Sequence, residues 1–291
     1  MLQFSHFLTE IHPAAGQVFL LIATILLVIF LIYSYLKIKH YPVSMEKPDS
    51  DDSESLEAYK KTVLTRLNKN KILRVNGLYP ETDADVSAAL NLLDSEAEKV
   101  IMENASWVFV STAISQNGKL DGLITLFVQM KMIYRISKIY YQKPRLKELY
   151  KLYSNVMVTV FLVSQIEDLD ISRHLEPVVS KINPAEMIPA IGKGISLLTN
   201  MLFEGSANCY LTLRIGLITR KYCNFQNFDD ERAVRNNASK EAAGLLGKII
   251  SDNSGKISRA FFKVVKNMGT KTVLNTSGKI KDFIAKPFKK A

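Results

Sequence analysis

A chain of 291 residues, 47% hydrophobic and 23% charged, is long enough for one large domain or two small ones and too apolar to be disordered throughout. Its two cysteines, Cys209 and Cys223, exclude a disulfide framework and a four-cysteine metal site, and His6, His12, His40 and His174 stand at no ligand spacing. The net charge is +10, and residues 240–291, with 12 Lys/Arg against three acids, hold nearly all of the excess.

Residues 1–17 are expected to form a short extracytoplasmic segment. Residues 18–36 are a run of 19 without charge, glycine or proline, and 14 of them are Leu, Ile, Val or Phe. A helix of that length is roughly 28 Å long, which matches the hydrocarbon thickness of a bilayer. At roughly 0.3–0.6 kcal/mol for each large apolar residue, insertion is favoured by about 4–8 kcal/mol. No Lys or Arg precedes Lys37 and no small-residue cleavage site follows, so the run reads as a transmembrane helix and not as a cleaved signal. Lys37, Lys39 and Lys47 put its C-terminal end in the cytoplasm and the N-terminus outside.

Residues 37–55 follow as an acidic linker, and its YPVSMEKPDSDDSES offers two prolines, acids and serines but no apolar face to bury. Helical periodicity resumes over 56–68. Thr82 or Asp83 then caps a long helix with Val86, Leu90, Leu93, Ala97, Val100 and Ile101 on its core face. Residues 120–139 are apolar but interrupted by Lys131, Arg135 and Lys138, which share one helical face and read either as a solvated stripe or as a patch for lipid headgroups or an acidic partner. Residues 155–165 and 187–203 are further apolar stretches, each a better buried helix than a bilayer crossing. The fold class expected is all-α, with a helical domain over 56–228 and membrane-embedded helices as the open variant.

Residues 229–291 are expected to form a basic amphipathic tail. Within 256–268, Lys256, Arg259, Lys263 and Lys266 face away from Ile257, Phe261, Val264 and Val265, a pattern that suits either an anionic membrane surface or docking on the protein's own core. The end from Lys279 is expected to fray.

Three ordered pieces carry a family resemblance. In 95–115 (SEAEKVIMENASWVFVSTAIS) and just beyond, Ala113, Ser115 and Asp121 fit an Ala-x-Ser-Pro motif followed by an aspartate, with Gln116 in place of the proline. In 130–140 (MKMIYRISKIY), Tyr140 ends a helix whose next residue is a glycine in the family and Tyr141 here. In 204–225, Gly205, Leu211, Thr212, Arg214, Gly216 and Cys223 fall in step with a Leu-Thr-Ala-Arg-Leu-Gly motif and its flanks. Together they resemble the YcjF-type inner-membrane proteins, a bacterial family of unknown function whose domain is also fused to some Era-like GTPases. The resemblance implies a place in the bacterial inner membrane and a P-loop GTPase as partner. That family has two N-terminal spans where this chain offers one.

The motif positions read as packing residues. Gly118, Gly192, Gly247, Gly255 and Gly278 each precede a lysine, yet the first glycine of a phosphate loop and its Ser/Thr are missing every time. No Gly-x-Ser-x-Gly or His-Glu-x-x-His occurs. The chain is therefore read as a non-enzyme without cofactor, metal or nucleic-acid partner: a membrane-anchored adaptor or scaffold, with a pore or transport protein built on re-entrant helices as the alternative.

Overall fold

The computed structural model describes residues 41–45, 48, 53–114, 118–145, 148, 177–178, 195–225 and 230–285, with Val18, Leu21, Ile25, Ile29, Ile32, Tyr33, Leu36, Lys39 and His40 ahead of them. Among the described residues the helices with defined bounds are α1 Ser53–Asn68, α2 Lys71–Val75, α3 Asp83–Ile114, α4 Gly118–Tyr140, α5 Ile195–Cys223 and α6 Glu231–Ala285. The fold is all-helical, and among the described residues the only strand-like feature is an isolated parallel bridge between Val43 and Lys143. The chain divides into two compact units. Unit 1 holds residues 1–97, 130–151 and 222–228, and unit 2 holds 98–129, 152–221 and 229–291.

In unit 1, the start of α3 is set by a reciprocal cap. The Asp85 backbone N–H donates to the Thr82 hydroxyl oxygen at 3.3 Å, and Asp85 Oδ2 accepts from the Thr82 N–H at 2.9 Å. The hydrogen bonds from Thr82 hold the Asp85 carboxyl below the usual carboxylate range. All six expected core residues of α3 are buried, with Leu93, Ala97 and Ile101 fully so. Within unit 1, Val86, Leu90, Leu93 and Ala97 of α3 are buried, as are Val63, Leu67, Leu73, Ile133, Ile136 and Tyr140. Asn70 caps α2 by accepting from the Ile72 N–H at 2.9 Å while donating to the Ile139 carbonyl at 2.6 Å.

The expected linker is partly structured. Residues 42–44 lie beside Lys143, the Ser44 N–H donating to the Lys143 carbonyl at 2.8 Å and the Lys143 N–H to the Pro42 carbonyl at 2.9 Å. Helix α1 already begins at Ser53. The expectation that 41–55 has nothing to bury is corrected at Tyr41, which packs against two other tyrosines.

In unit 2, Arg220 of α5 pairs with Glu98 of α3 at 3.8 Å and with Glu241 of α6 at 2.8 Å. Farther along the same helices, a Cβ on Gly205 would stand 2.8 Å from the Ala113 Cβ and 2.9 Å from the Phe109 carbonyl. Since Glu98 precedes Phe109 while Arg220 follows Gly205, α3 and α5 run antiparallel here, and glycine permits their close approach. Helix α6 packs one side into unit 2. Val234, Ala238, Ala242, Leu246, Ile249, Asn253, Ile257 and Phe261 recur at steps of three and four and are all buried in unit 2. The backbone is helical to Ala285, past the Lys279 where fraying was expected.

Among the described residues, no helix is long and apolar enough to cross a membrane. Most of 18–36, all of 155–165 and residues 187–194 lie outside the described residues.

Candidate functional site

The best-defined surface feature of unit 1 is assembled from the end of α4 and the chain around residue 41. Lys131, Tyr134, Lys138 and Tyr141 follow one another at steps of three, four and three, which aligns them along one face of the helix. Lys131 and Lys138 are exposed, and among the described residues neither forms a salt bridge. Arg135, expected on the same patch, is half-buried and engaged within the protein. The cationic patch is therefore narrower than its spacing suggested, and tyrosines are interleaved with its lysines.

Helix α4 ends in a Schellman turn. The Gln142 N–H donates to the Ser137 carbonyl at 3.1 Å, and the Tyr141 N–H donates to the Lys138 carbonyl at 3.3 Å. Tyr141 occupies the left-handed position of that turn with φ of 56°, the region that favours glycine and costs other residues about 1 kcal/mol or more. Its ring compensates. The Tyr41 ring stands edge-on to it, centroids 5.9 Å apart at 84°, and is tilted against Tyr134 at 6.1 Å and 55°. Such pairs contribute about 0.5–1.5 kcal/mol each beyond the area they bury.

A strap of four residues, 41–44, is thus fastened along its length. Arg66 Nη1 donates to the Val43 carbonyl at 2.8 Å and to Gln142 Oε1 at 3.0 Å. Lys143 Nζ donates to the Lys39 carbonyl at 3.1 Å, satisfying a carbonyl at the end of the preceding helix. Burial pushes the Tyr41 hydroxyl up to about 12, helped by its hydrogen bond with Tyr134 and by the neighbouring tyrosines. The ring is therefore neutral at physiological pH.

Helix α4 is also pinned from the inside of unit 1. Tyr140 is fully buried and its hydroxyl donates to Asp94 Oδ1, while Asn224 Nδ2 donates to both oxygens of Asp94 at 3.2 and 3.3 Å. Gln142 Nε2 donates to the Cys223 carbonyl, and the Cys223 Sγ lies 4.0 Å from the Ser137 hydroxyl. Burial pushes the Cys223 thiol up, as it does Cys209, so neither offers a thiolate at neutral pH.

The remaining motif positions that are described are half-buried or buried. In unit 2, Ala113 is buried beside Gly205, and Leu211 and Gly216 are buried on α5. Thr212 accepts from Gln129 Nε2 at 3.1 Å and donates to the Asn208 carbonyl at 2.8 Å. Arg214 buries its Nε without a hydrogen-bond partner. Asp121 lies in the first turn of α4 by its backbone, but its side chain and the whole of Ser115 lie outside the described residues. On α6, Lys256 and Arg259 are exposed and bond within their own turn, to Asn253 Oδ1 at 3.0 Å and the Gly255 carbonyl at 3.2 Å; the Lys263 and Lys266 side chains lie outside the described residues. With Ile257 and Phe261 buried, the apolar side of α6 is used inside unit 2 as far as Phe261. Among the described residues no group of His, Cys, Asp or Glu is arranged to hold a metal ion.

Sequence reasoning missed Tyr41, Tyr134 and Tyr141 as a cluster, and Asp94 and Asn224 as partners of Tyr140. Only the spacing of Lys131, Tyr134, Lys138 and Tyr141 was available as a signal, and it says nothing of Tyr41, which is remote in sequence.

These features define an all-helical protein whose matching segments meet through buried polar and small-residue contacts. Residues 85–244 match the family described as a domain of unknown function, DUF697; this is more than half of the chain, which belongs to that family. No curated protein and no solved structure matches it. The matched span begins in the first turn of α3 and ends within α6, so the strap lies outside it while Tyr134 and Tyr141 lie inside.

Proposed function

We propose that the chain is a membrane-anchored helical scaffold. Residues 18–36 cross a bacterial inner membrane with the N-terminus outside, and both units stand at the cytoplasmic face to hold a partner there. One observation carries this reading. Val18, Leu21, Ile25, Ile29, Ile32 and Leu36 are helical, recur at steps of three and four, and are between 47% and 63% exposed. Exposed large apolar side chains of this kind are costly in water, at about 25 cal/mol for each Å² exposed, and at ease in lipid.

The scaffold reading, as against an enzyme, rests on the sequence, which has no phosphate loop, nucleophile elbow or metal-binding motif. A P-loop GTPase as the partner rests on the YcjF-type resemblance alone. The alternative, a pore with re-entrant helices, draws support from Trp107, Ile114, Phe127 and Phe203, which are exposed in unit 2.

Alkaline extraction of membranes containing the full chain, with a reporter at its C-terminus, tests the proposal. The protein is expected in the membrane pellet with the reporter inside the cell. Release into the supernatant, or a reporter on the outside, overturns it. Crosslinking in cells is expected to capture a GTPase, and capture of none removes that partner from the proposal. A chain lacking residues 1–40 is expected in the soluble fraction, whereas its retention through alkaline extraction favours the pore.

A further inference from the structure

Among the described residues every contact of the strap lies within unit 1, and the strap begins a few residues after the last member of the apolar stripe. Leu36 is the last member of that stripe, Lys39 is still helical, and Tyr41 is already packed against Tyr134 and Tyr141. Tyr41 follows the helical Lys39 by two residues, so even a fully extended chain places it at most roughly 7 Å from that residue. A flexible tether over the expected linker would instead span roughly 20 Å and leave the domain free to turn.

We propose that the α4 face carrying Lys131, Tyr134, Lys138 and Tyr141 is a lipid-reading surface, seated by the strap on the headgroups of an anionic leaflet. The proposal rests on the reading of residues 18–36 as a membrane anchor. Two features of the face fit this occupant. Tyrosine favours the bilayer interface because its ring is apolar and its hydroxyl can stay wet. Here tyrosines from two parts of the chain, Tyr41 and the pair Tyr134 and Tyr141, converge beside the end of the anchor. The exposed ammonium groups of Lys131 and Lys138 are not neutralised by carboxylates among the described residues, so they are available to phosphate headgroups. The Lys143 amine, by contrast, is committed to the Lys39 carbonyl and works as a fastener.

The face acts as a second, electrostatic contact beside the hydrophobic one. The anchor supplies residence in the membrane, and the face supplies orientation. In neutral lipid the anchor still holds, but the lysines lose their counter-charge and unit 1 is held by the strap alone.

Amine footprinting on the full-length chain tests this. The protein is reconstituted in vesicles of phosphatidylcholine alone or of phosphatidylcholine with phosphatidylglycerol. A water-soluble acylating reagent is added, and modification of Lys131 and Lys138 is read against Lys61, which is exposed on α1. Modification at each of the two positions is expected to fall about fivefold in the anionic vesicles. High salt reverses the fall. Tyr41→Ala, which removes the ring that joins strap to face, also reverses it while the protein still floats with the vesicles. Equal modification in both lipids, or a fall at Lys61 as large as at Lys131 and Lys138, overturns the proposal and leaves the anchor reading intact. Failure to float with either vesicle defeats the anchor reading itself.

Discussion

In unit 1 the polar side chains that go inside arrive with partners, whereas four buried polar atoms of unit 2 have none. Asp94 of unit 1 takes hydrogen bonds from Tyr140 and Asn224, Asn70 both caps α2 and reaches the Ile139 carbonyl, and Gln142 reaches the Cys223 carbonyl. In unit 2 the Thr125 hydroxyl, Gln129 Oε1, the Ser206 hydroxyl and Arg214 Nε are buried without a hydrogen-bond partner; no such atom occurs among the described side chains of unit 1. A buried polar group without a partner forfeits the hydrogen bonds it had in water, at about 1–3 kcal/mol. Unit 1 therefore draws its specificity from directional bonds, and unit 2 draws it from close packing, as at Gly205. The Arg220 ion pairs of unit 2 involve half-exposed carboxylates and contribute less than their number suggests.

Gly205→Ala probes the packing side of that contrast and is expected to have the largest effect. The new methyl would meet a backbone carbonyl and another methyl inside 3 Å, so a loss of about 2–3 kcal/mol is expected in chemical denaturation of the purified protein. If Gly205→Ala is neutral, close packing does not set the α3–α5 approach. Asp94→Ala probes the polar side. It removes the carboxylate that the buried Tyr140 hydroxyl and the Asn224 amide share, and a loss of about 2 kcal/mol is expected by the same measurement.

The strap gives a pH-dependent version of the same test. Because the Tyr41 hydroxyl is raised in the folded chain, its contact with Tyr134 and Tyr141 is fully present below the ordinary tyrosine value near 10 and is lost as pH rises through about 12. Limited proteolysis across residues 41–45 is expected to accelerate between those values, and cleavage independent of pH would show that Tyr41 is not held. Gln129→Leu should have the smallest effect, within about 1 kcal/mol of wild type. It removes an unpartnered oxygen while Thr212 keeps its bond to the Asn208 carbonyl. A loss as large as that of Asp94→Ala would erase the difference between the units.

Much of the secondary structure was legible because it is local. The Thr82 cap, the apolar stripe of α3 and the helices over 56–68 and 120–139 follow from spacing and capping chemistry, which act over three or four residues. Helix α6 was half legible. Its amphipathic pattern is plain over 256–268, but the stripe that begins at Val234 lies in a segment whose sequence is dominated by charged and small residues. The strap was not legible at all. The composition of 41–55 is that of a solvated segment, and nothing near Tyr41 in sequence says that two tyrosines some ninety to a hundred residues later will meet it.

The sequence by itself determined that this protein is helical, where most of its described helices lie, and that one run of 19 residues is uncharged and apolar, because helix periodicity and hydropathy are properties of neighbouring residues. Only the tertiary structure decided which of those residues face one another. It gave Asp94 to Tyr140, Gly205 to Ala113, the apolar side of α6 to the interior of unit 2, and Tyr41 to the end of α4. Those pairings depend on how the chain folds back on itself, which spacing along one helix cannot specify.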